Sequence, residues 1–158
     1  LKIPLLVVGS DLFRREEVVF SSGPLFPALA ASIALPSIIR PVTLDGRVLV
    51  DGGATNPLPF DHLRKRADVT VAVDISGPPS DTRKDVPNAL ECLYATVLVM
   101  AHSIVSEKIR RGGAPDLLIQ PQVGTFRALD FFQASAVLRV ADPIKAEVKE
   151  RLGALLAG

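Results

Sequence analysis

Apolar positions along the chain form short unbroken runs and one long periodic stretch. The unbroken runs at 3–8, 69–73 and 117–119 are typical of strands covered on both faces of a parallel sheet. From 88 to 111, apolar residues recur at three- and four-residue spacing, which predicts a long amphipathic helix that Gly112 and Gly113 terminate. This alternation predicts an α/β domain with a largely parallel sheet flanked by helices.

Turn-forming residues place the remaining elements. The pair Asp45-Gly46 lies between two β-prone runs and predicts a local antiparallel hairpin. Pro36 and Pro143 are expected to end one helix and to divide another, because proline cannot continue the hydrogen-bond ladder. The other expected elements are a strand at 17–20, a helix at 28–34, a short helix at 57–66, an exposed loop at 76–87 and a helical stretch at 133–156.

The composition is that of a globular chain with little net charge. Its 158 residues are 48% hydrophobic and carry a formal net charge of +1, which argues against a disordered chain and a dedicated nucleic-acid binder. The single Cys92 excludes an internal disulfide, and two histidines beside it cannot complete a structural zinc site. We therefore expect no cofactor, no metal and a cytoplasmic location. The longest uncharged stretch, 18–39, contains prolines, so no membrane-spanning segment is expected.

Asp51 is the first candidate for chemistry, because it follows an apolar strand and precedes two glycines. Gly52 and Gly53 let the backbone turn tightly, and open α/β sheets bind ligands at the carboxyl ends of their strands. A carboxylate at such a position can act as a base. An ordinary turn-forming aspartate would have the same local sequence, so both interpretations stay open at this point.

Several segments, in sequence order, carry a family resemblance. They are Ala28-Leu-Ala-Ala-Ser-Ile-Ala-Leu-Pro36, Pro41-Val42, Val50-Asp-Gly-Gly53 and Asn56-Pro-Leu-Pro59, followed by Val71-Ala-Val-Asp74, Leu118-Ile-Gln-Pro121 and Leu129-Asp-Phe131. Together they resemble the patatin-like phospholipase family, especially its bacterial members. The resemblance implies a serine acyl hydrolase that cleaves lipid esters with a Ser-Asp dyad through an acyl-enzyme. It implies that Asp51 is the base of that dyad and that Gly52 and Gly53 shape the turn presenting it.

The nucleophile that the resemblance implies has no counterpart in this sequence. A G-x-S-x-G elbow occurs nowhere in the 158 residues, and the family's glycine-rich oxyanion segment is absent as well. Ala30 and Ser37 also stand where the family often has a basic residue and a glycine. We therefore predict that residues 1–158 are the C-terminal portion of one patatin-like domain, with the nucleophilic serine outside this chain.

A function of another class stays open, namely a non-catalytic lipid-binding or interaction protein that keeps the patatin-like frame. The expected partners are a lipid or ester substrate and a membrane surface contacted peripherally, without nucleic acid. A partial domain would expose the edges of its sheet. The N-terminal portion, or another chain, is therefore expected to complete that sheet.

Three serines and the two histidines have ordinary structural explanations. Ser10, Ser32 and Ser37 lie near element ends but outside any elbow sequence, so helix capping or packing is expected of them. His62 and His102 lie on predicted helices, where a structural histidine is commoner than a catalytic one. A Ser-Asp dyad requires neither.

Four further features have competing explanations. Cys92 is expected to be a small buried hydrophobe. Asp45, Asp51 and Asp74 match no metal-binding loop, although carboxylates suit hard cations. The basic cluster 64–66 would either touch a phosphate or complement a helix dipole. The aromatic residues Phe126, Phe131 and Phe132 would belong to the core or to an acyl or membrane surface.

Overall fold

The computed structural model of the protein describes residues 1–76, 86–121 and 133–157. Within those ranges the chain forms a mixed α/β structure with two separate sheets. The strands are β1 (Val7–Asp11), β2 (Glu16–Phe20), β3 (Val42–Leu44), β4 (Arg47–Asp51), β5 (Val71–Val73) and β6 (Leu117–Ile119). The α-helices are α1 (Leu25–Ser32), α2 (Ala89–Gly112), α3 (Ala134–Ala141) and α4 (Ile144–Ala157).

The larger sheet has 4 strands in the order β2-β1-β4-β3, and each neighbouring pair is antiparallel. The turn 12–15 between β1 and β2 is too short for a crossover, so these strands must run in opposite directions. Asp11 shapes this turn, because its Oδ1 accepts hydrogen bonds from the N–H groups of Phe13 at 3.1 Å and Arg14 at 2.9 Å.

The prediction of a largely parallel sheet therefore holds only in part. Strands β5 and β6 pair in parallel, with Val71 opposite Leu117, whereas the larger sheet is antiparallel. Strand β1 is buried along its whole length because it is a central strand that also packs against α1. Its unbroken burial thus reflects a central position in the sheet and not a parallel direction.

The predicted antiparallel hairpin is confirmed. Strands β3 and β4 pair with Leu44 opposite Arg47, which leaves Asp45 and Gly46 as the turn. Their φ angles are 50° and 72°, both in the left-handed region that a two-residue type I′ turn requires. Aspartate and glycine adopt this conformation at low cost, so the dipeptide sets the register of β4.

Helix α1 covers one face of the larger sheet with small side chains. Ala28, Ala31 and Ala34 are buried, and they allow the segment to approach β1 and β4 closely. A Cβ added to Gly9 of β1 would lie 3.9 Å from the Ala31 Cβ, which is ordinary contact distance. The predicted helix at 28–34 is thus present, although the helical turns begin earlier and end at Ser32.

Helix α2 confirms the long periodic stretch. Asn88 caps it by accepting a hydrogen bond from the Glu91 N–H at 3.0 Å, and Gly113 ends it with φ 85°. Its Val105 belongs to a second apolar cluster, formed with Leu58, Phe60 and Ala72. This cluster packs the second half of the helix against the segment that follows β4.

The first half of α2 is largely exposed, with Leu93 at 50% and Met100 at 60%. Among the helices that the structure describes, α2 is the one that is long and apolar enough to cross a membrane by length and composition. A single helix of this kind is weak evidence for a span, because core helices of globular proteins have the same properties. The expectation of no membrane-spanning segment stays a prediction.

Two expected helical segments behave differently. Pro143 divides the C-terminal stretch into α3 and α4, as predicted. The short helix expected at 57–66 is reduced to a 3-10 turn, Phe60–His62. The expected loop at 76–87 and the residues 129–131 lie largely or wholly outside the described ranges.

Candidate active site

Asp51 lies at the carboxyl end of β4, where the strand passes into a 3-10 turn, Gly52–Ala54. Its backbone is held from two sides. It pairs with Gly9 of β1, and its N–H donates to the Ala34 carbonyl oxygen at 3.0 Å. The predicted placement of this aspartate at a strand end is confirmed, and its part in catalysis stays a prediction.

The Asp51 carboxylate is half-buried and points one oxygen back at its own turn. Oδ1 accepts a hydrogen bond from the Gly53 N–H at 2.7 Å. In the described part of the chain Oδ2 has no such partner, and no fully buried side-chain oxygen or nitrogen there lacks one. Oδ2 is therefore the oxygen that is accessible to a proton donor from outside the turn.

Burial raises the pKa of Asp51, and the hydrogen bond from Gly53 offsets part of that rise. Tyr94 of α2 interacts electrostatically with the same carboxylate, because burial and the Asp51 charge both raise the pKa of its phenol. A carboxylate with a raised pKa is a stronger base than an ordinary exposed one. The electrostatics thus favour proton acceptance by Asp51.

The two positions after Asp51 require glycine for different structural reasons. Gly52 is buried against the backbone of Val8, which leaves no space for a side chain. At Gly53 an added Cβ would lie 3.0 Å from the Asp51 Oδ1. Both glycines therefore help to hold the aspartate in place, one by close backbone packing and one by leaving the carboxylate free to reach an N–H.

A surface pocket of about 330 Å³ opens at this turn and is lined by Asp51, Gly52 and Gly53. The rest of its lining is mainly apolar. It consists of Leu5, Leu6, Val7, Val8, Leu29, Pro57 and Pro59, together with Ser32 and Asn56. A larger pocket of about 410 Å³ beside residues 1–7 does not include the Asp51 turn in its lining.

The candidate serines take three different positions. Ser10 is buried and donates to the Asp51 carbonyl oxygen at 2.9 Å, so its hydroxyl addresses the backbone of Asp51 and not its carboxylate. It also lies 2.8 Å from the Thr55 hydroxyl. Ser32 lines the pocket of Asp51, and Ser37 is exposed with φ 69°. The packing role expected of Ser10 is confirmed.

The other candidates lie apart from the Asp51 carboxylate. His62 Nε2 pairs with Glu17 at 2.7 Å, and His102 is exposed on α2. Cys92 is exposed, so the expectation of a buried thiol was wrong; it lies on the side of α2 that does not face the core. The Asp74 carboxylate is engaged by Ser76 and Gln120. No cluster of three or more metal-ligating side chains occurs among the described residues.

Arg64 has a partner that the sequence did not reveal. Its guanidinium donates to the carbonyl oxygens of Gly112 and Gly113 and stacks over the Phe60 ring at 4.9 Å. It therefore complements the C-terminal end of α2 and not of its own segment, as a cation at that end of a helix dipole should. Phe126, Phe131 and Phe132 lie outside the described residues.

Sequence reasoning also missed a group of polar side chains behind the turn. Asn56, 5% exposed, contacts Glu17, Asp61 and Lys108. In the sequence, Asn56 stands out only as part of the segment Asn56-Pro-Leu-Pro59. No local sequence signal identifies its partners, because Glu17 and Lys108 are 39 and 52 residues away.

Comparison with known proteins finds a similarity to one protein family. Residues 7–64, which include Asp51 and its turn, match the family described as patatin-like phospholipase. Over this segment the chain is similar to patatin-like phospholipases. An uncharacterized NTE family protein of Mycobacterium tuberculosis is 42% identical over 90 residues, which are 56% of this chain and 25% of the relative.

Two further patatin-like relatives extend the comparison. Another uncharacterized NTE family protein of Mycobacterium tuberculosis is 28% identical over 153 residues, which cover 83% of this chain and 26% of the relative. The lysophospholipase nte1 of Aspergillus niger is 30% identical over 89 residues, which cover 56% of this chain and 6% of the relative. The chain thus spans about a quarter of the mycobacterial relatives and a much smaller share of the fungal one.

Proposed function

We propose that this chain supplies the base of a lipid ester hydrolase, and that the base is Asp51. The observation that carries the proposal is the half-buried Asp51 carboxylate, which has one oxygen bonded to the Gly53 N–H and the other without a hydrogen-bond partner among the described residues, in a residue that lines an apolar pocket. Its raised pKa favours proton uptake from a hydroxyl. The match of residues 7–64 to patatin-like phospholipases supports the same assignment.

The proposed reaction has two halves. Asp51 takes the proton of a serine hydroxyl while the serine oxygen bonds to the ester carbonyl carbon. The carbon–oxygen bond to the alcohol then breaks, and the departing alkoxide receives the proton from Asp51. In the second half Asp51 takes a proton from water, the hydroxide attacks the acyl-enzyme, and the serine leaves and recovers the proton. Asp51 is unchanged after one turnover.

The nucleophilic serine is proposed to lie outside residues 1–158. No described serine of the chain donates to the Asp51 carboxylate, and the sequence has no G-x-S-x-G elbow. We therefore assign to this chain the C-terminal portion of the catalytic domain. A further segment of the polypeptide, or another chain, would supply the serine and the oxyanion-binding N–H groups and would cover the outer strands β2 and β3.

The substrate class follows from the pocket. Leu5, Leu6 and Leu29 give it an apolar lining, which suits an acyl chain better than a charged group. The name of the Aspergillus niger relative, a lysophospholipase, agrees with a lipid substrate. We propose a lipid acyl ester as the substrate and a cytoplasmic protein that contacts membranes peripherally.

A second candidate, a non-catalytic lipid-binding protein, is favoured by one observation. Ser10, the serine that contacts Asp51 through its backbone, is already engaged with the Asp51 carbonyl oxygen and with Thr55. If no serine from elsewhere reaches the carboxylate, the apolar pocket would still bind an acyl chain without cleaving it.

The test uses the full-length protein, p-nitrophenyl butyrate as the ester, and a serine-reactive fluorophosphonate. We expect ester turnover and one label on a serine outside residues 1–158. Asp51→Asn keeps the Oδ1 acceptor for Gly53 and should lower turnover by roughly 10²- to 10⁴-fold, the usual contribution of a positioned base. Asp45→Asn is the matched control, because Asp45 also precedes a glycine but lies in an exposed turn.

Two outcomes would contradict the proposal. Wild-type turnover by the Asp51→Asn variant would remove Asp51 from the mechanism. A wild-type protein that binds lipid vesicles but neither reacts with the fluorophosphonate nor cleaves the ester would establish the lipid-binding alternative.

A further inference from the structure

Four polar side chains behind the Asp51 turn form one hydrogen-bonded cluster, which we call the Asn56 clamp. It consists of Glu17 of β2, Asn56, Asp61 and Lys108 of α2, and the Glu17 oxygen that accepts from Asn56 also lies 2.7 Å from His62 Nε2. Asn56 is at its centre and is 5% exposed. Its Nδ2 donates to Glu17 Oε1 at 2.8 Å and to Asp61 Oδ1 at 3.3 Å, while its Oδ1 accepts from the Lys108 ammonium. Every hydrogen-bonding atom of this side chain thus has a partner.

Lys108 connects the clamp to helix α2. Besides the Asn56 side chain, its ammonium donates to the Asp61 carboxylate and to the Leu58 carbonyl oxygen at 3.2 Å. Burial raises the pKa of Asp61, but the hydrogen bonds from Lys108 and Asn56 outweigh it and the net shift is downward. The three donors of the lysine are therefore used on three acceptors, which fixes its position.

The clamp reaches the Asp51 turn through the backbone of Asn56. The Asn56 N–H donates to the Gly52 carbonyl oxygen at 2.8 Å. Asn56, two residues after the 3-10 turn, is thus bonded to the residue that begins that turn. A turn with two consecutive glycines has high conformational freedom of its own. Side-chain anchors on β2, on the segment after the turn and on α2 can restrict it where the local sequence cannot.

We propose that Asn56 and Lys108 are positioning residues, which hold the Asp51-Gly52-Gly53 turn so that the carboxylate keeps its orientation toward the pocket. The inference rests on the proposed role of Asp51 as the base. Neither residue touches the reacting atoms in this assignment. Their effect is on the geometry of the base, where a displacement of about 1 Å can cost roughly 10²-fold in rate.

The experiment measures kcat and KM for p-nitrophenyl butyrate in the full-length protein. Lys108→Met and Asn56→Ala are each expected to lower kcat by roughly 10- to 100-fold, because the base is displaced. For Lys108→Met, which lies outside the pocket lining, KM should change less than about twofold, whereas Asn56→Ala also alters the lining and its KM is free to change. The double variant is expected to lose no more than the worse single variant, since the two residues act as one unit. Arg110→Met, an exposed charge on the same helix, is the matched control and should keep wild-type values.

Folding is checked by far-UV circular dichroism and by the melting temperature of each variant. If Lys108→Met does not fold, Lys108→Gln replaces the ammonium by a shorter neutral amide, which cannot make the same three contacts, and carries the same expectation. Losses that multiply in the double variant, a wild-type kcat in either folded single variant, or an equal loss in Arg110→Met would overturn the clamp.

The same series separates this inference from the proposed function. Full activity in Asp51→Asn would refute the base itself, and the clamp with it. An inactive Asp51→Asn together with a fully active Lys108→Met would leave the base in place and refute the clamp alone.

Discussion

Gly52 lies so close to Val8 that a Cβ on Gly52 would be 2.3 Å from the Val8 carbonyl oxygen and 2.8 Å from the Val8 carbonyl carbon. The obstacle is backbone, which cannot move aside as the end of a side chain can. This contact fixes the turn after Asp51 directly beneath β1, and it explains why the aspartate is followed by a glycine. The Asp51 site therefore depends on the packing of two strands that are distant in sequence.

Gly52→Ala is accordingly expected to destabilise the protein by about 2–3 kcal/mol, the upper part of the range for overpacked positions. It should also lower ester turnover, because the turn that carries Asp51 must shift. The measurement is the free energy of unfolding in urea, alongside kcat for p-nitrophenyl butyrate.

Gly153→Ala is the control for this prediction, because nothing lies within 4 Å of the added Cβ and Gly153 is inside helix α4. The same substitution should stabilise the protein there by about 0.5–1 kcal/mol, as alanine favours helix. A Gly52→Ala variant as stable as the wild type would show that the strands can separate at Val8.

Local features of the fold were predictable wherever one residue type determines the backbone. Asp45 and Gly46 have the positive φ angles that their hairpin turn requires, and Pro143 separates α3 from α4. The long helix was visible because its period extends over many residues, with a capping asparagine at its start. These signals are local, so a single sequence contains them in full.

Strand direction and helix orientation were not predictable, because both depend on distant contacts. The apolar run at 3–8 has the same appearance in a parallel sheet and in the centre of an antiparallel one, and only Val7 and Val8 of it lie in β1, whereas residues 3–5 are exposed. Cys92 was expected to be buried, yet it is exposed. The apolar face of α2 is wider than the surface that packs around Ala101 and Val105, and Cys92 lies outside that packed surface.

The candidate site divides in the same way. Asp51 was identifiable because a strand, a carboxylate and two glycines are adjacent in the sequence. The Asn56 clamp was not, because Asn56 contacts Glu17 and Lys108 across 39 and 52 residues. Such pairings appear only once β2, the Asp51 turn and α2 have been brought together.

The pH dependence of the protein should reflect the burial of Asp51. Burial raises the pKa of Asp51 above the ordinary value of 3.8, and the base is active only when ionised. The acid limb of the kcat profile is therefore expected above pH 3.8. A limb at or below that value would contradict a buried base in the enzyme–substrate complex.

The same shift has a sign for stability. In the pH interval between the unfolded and the folded pKa, the folded protein binds more protons at Asp51 than the unfolded chain, so stability falls as pH rises through that interval. Asp51→Asn removes this cost and keeps the acceptor for Gly53. The melting temperature of Asp51→Asn relative to wild type should therefore be higher above that interval than below pH 3.8. Asp45→Asn, in an exposed turn, is the control.

Ser10 provides a last prediction, since its hydroxyl is hydrogen-bonded to the backbone of the proposed base. It is 2% exposed and donates to the Asp51 carbonyl oxygen at 2.9 Å. Ser10→Ala leaves that buried carbonyl without its side-chain donor, which should cost about 1–2 kcal/mol of stability. Fluorophosphonate labelling should persist, because the hydroxyl of Ser10 is directed at the backbone and not at the carboxylate. Loss of the label in a folded Ser10→Ala variant, with labelling intact in the exposed control Ser22→Ala, would instead identify Ser10 as the nucleophile and place the whole dyad within this chain.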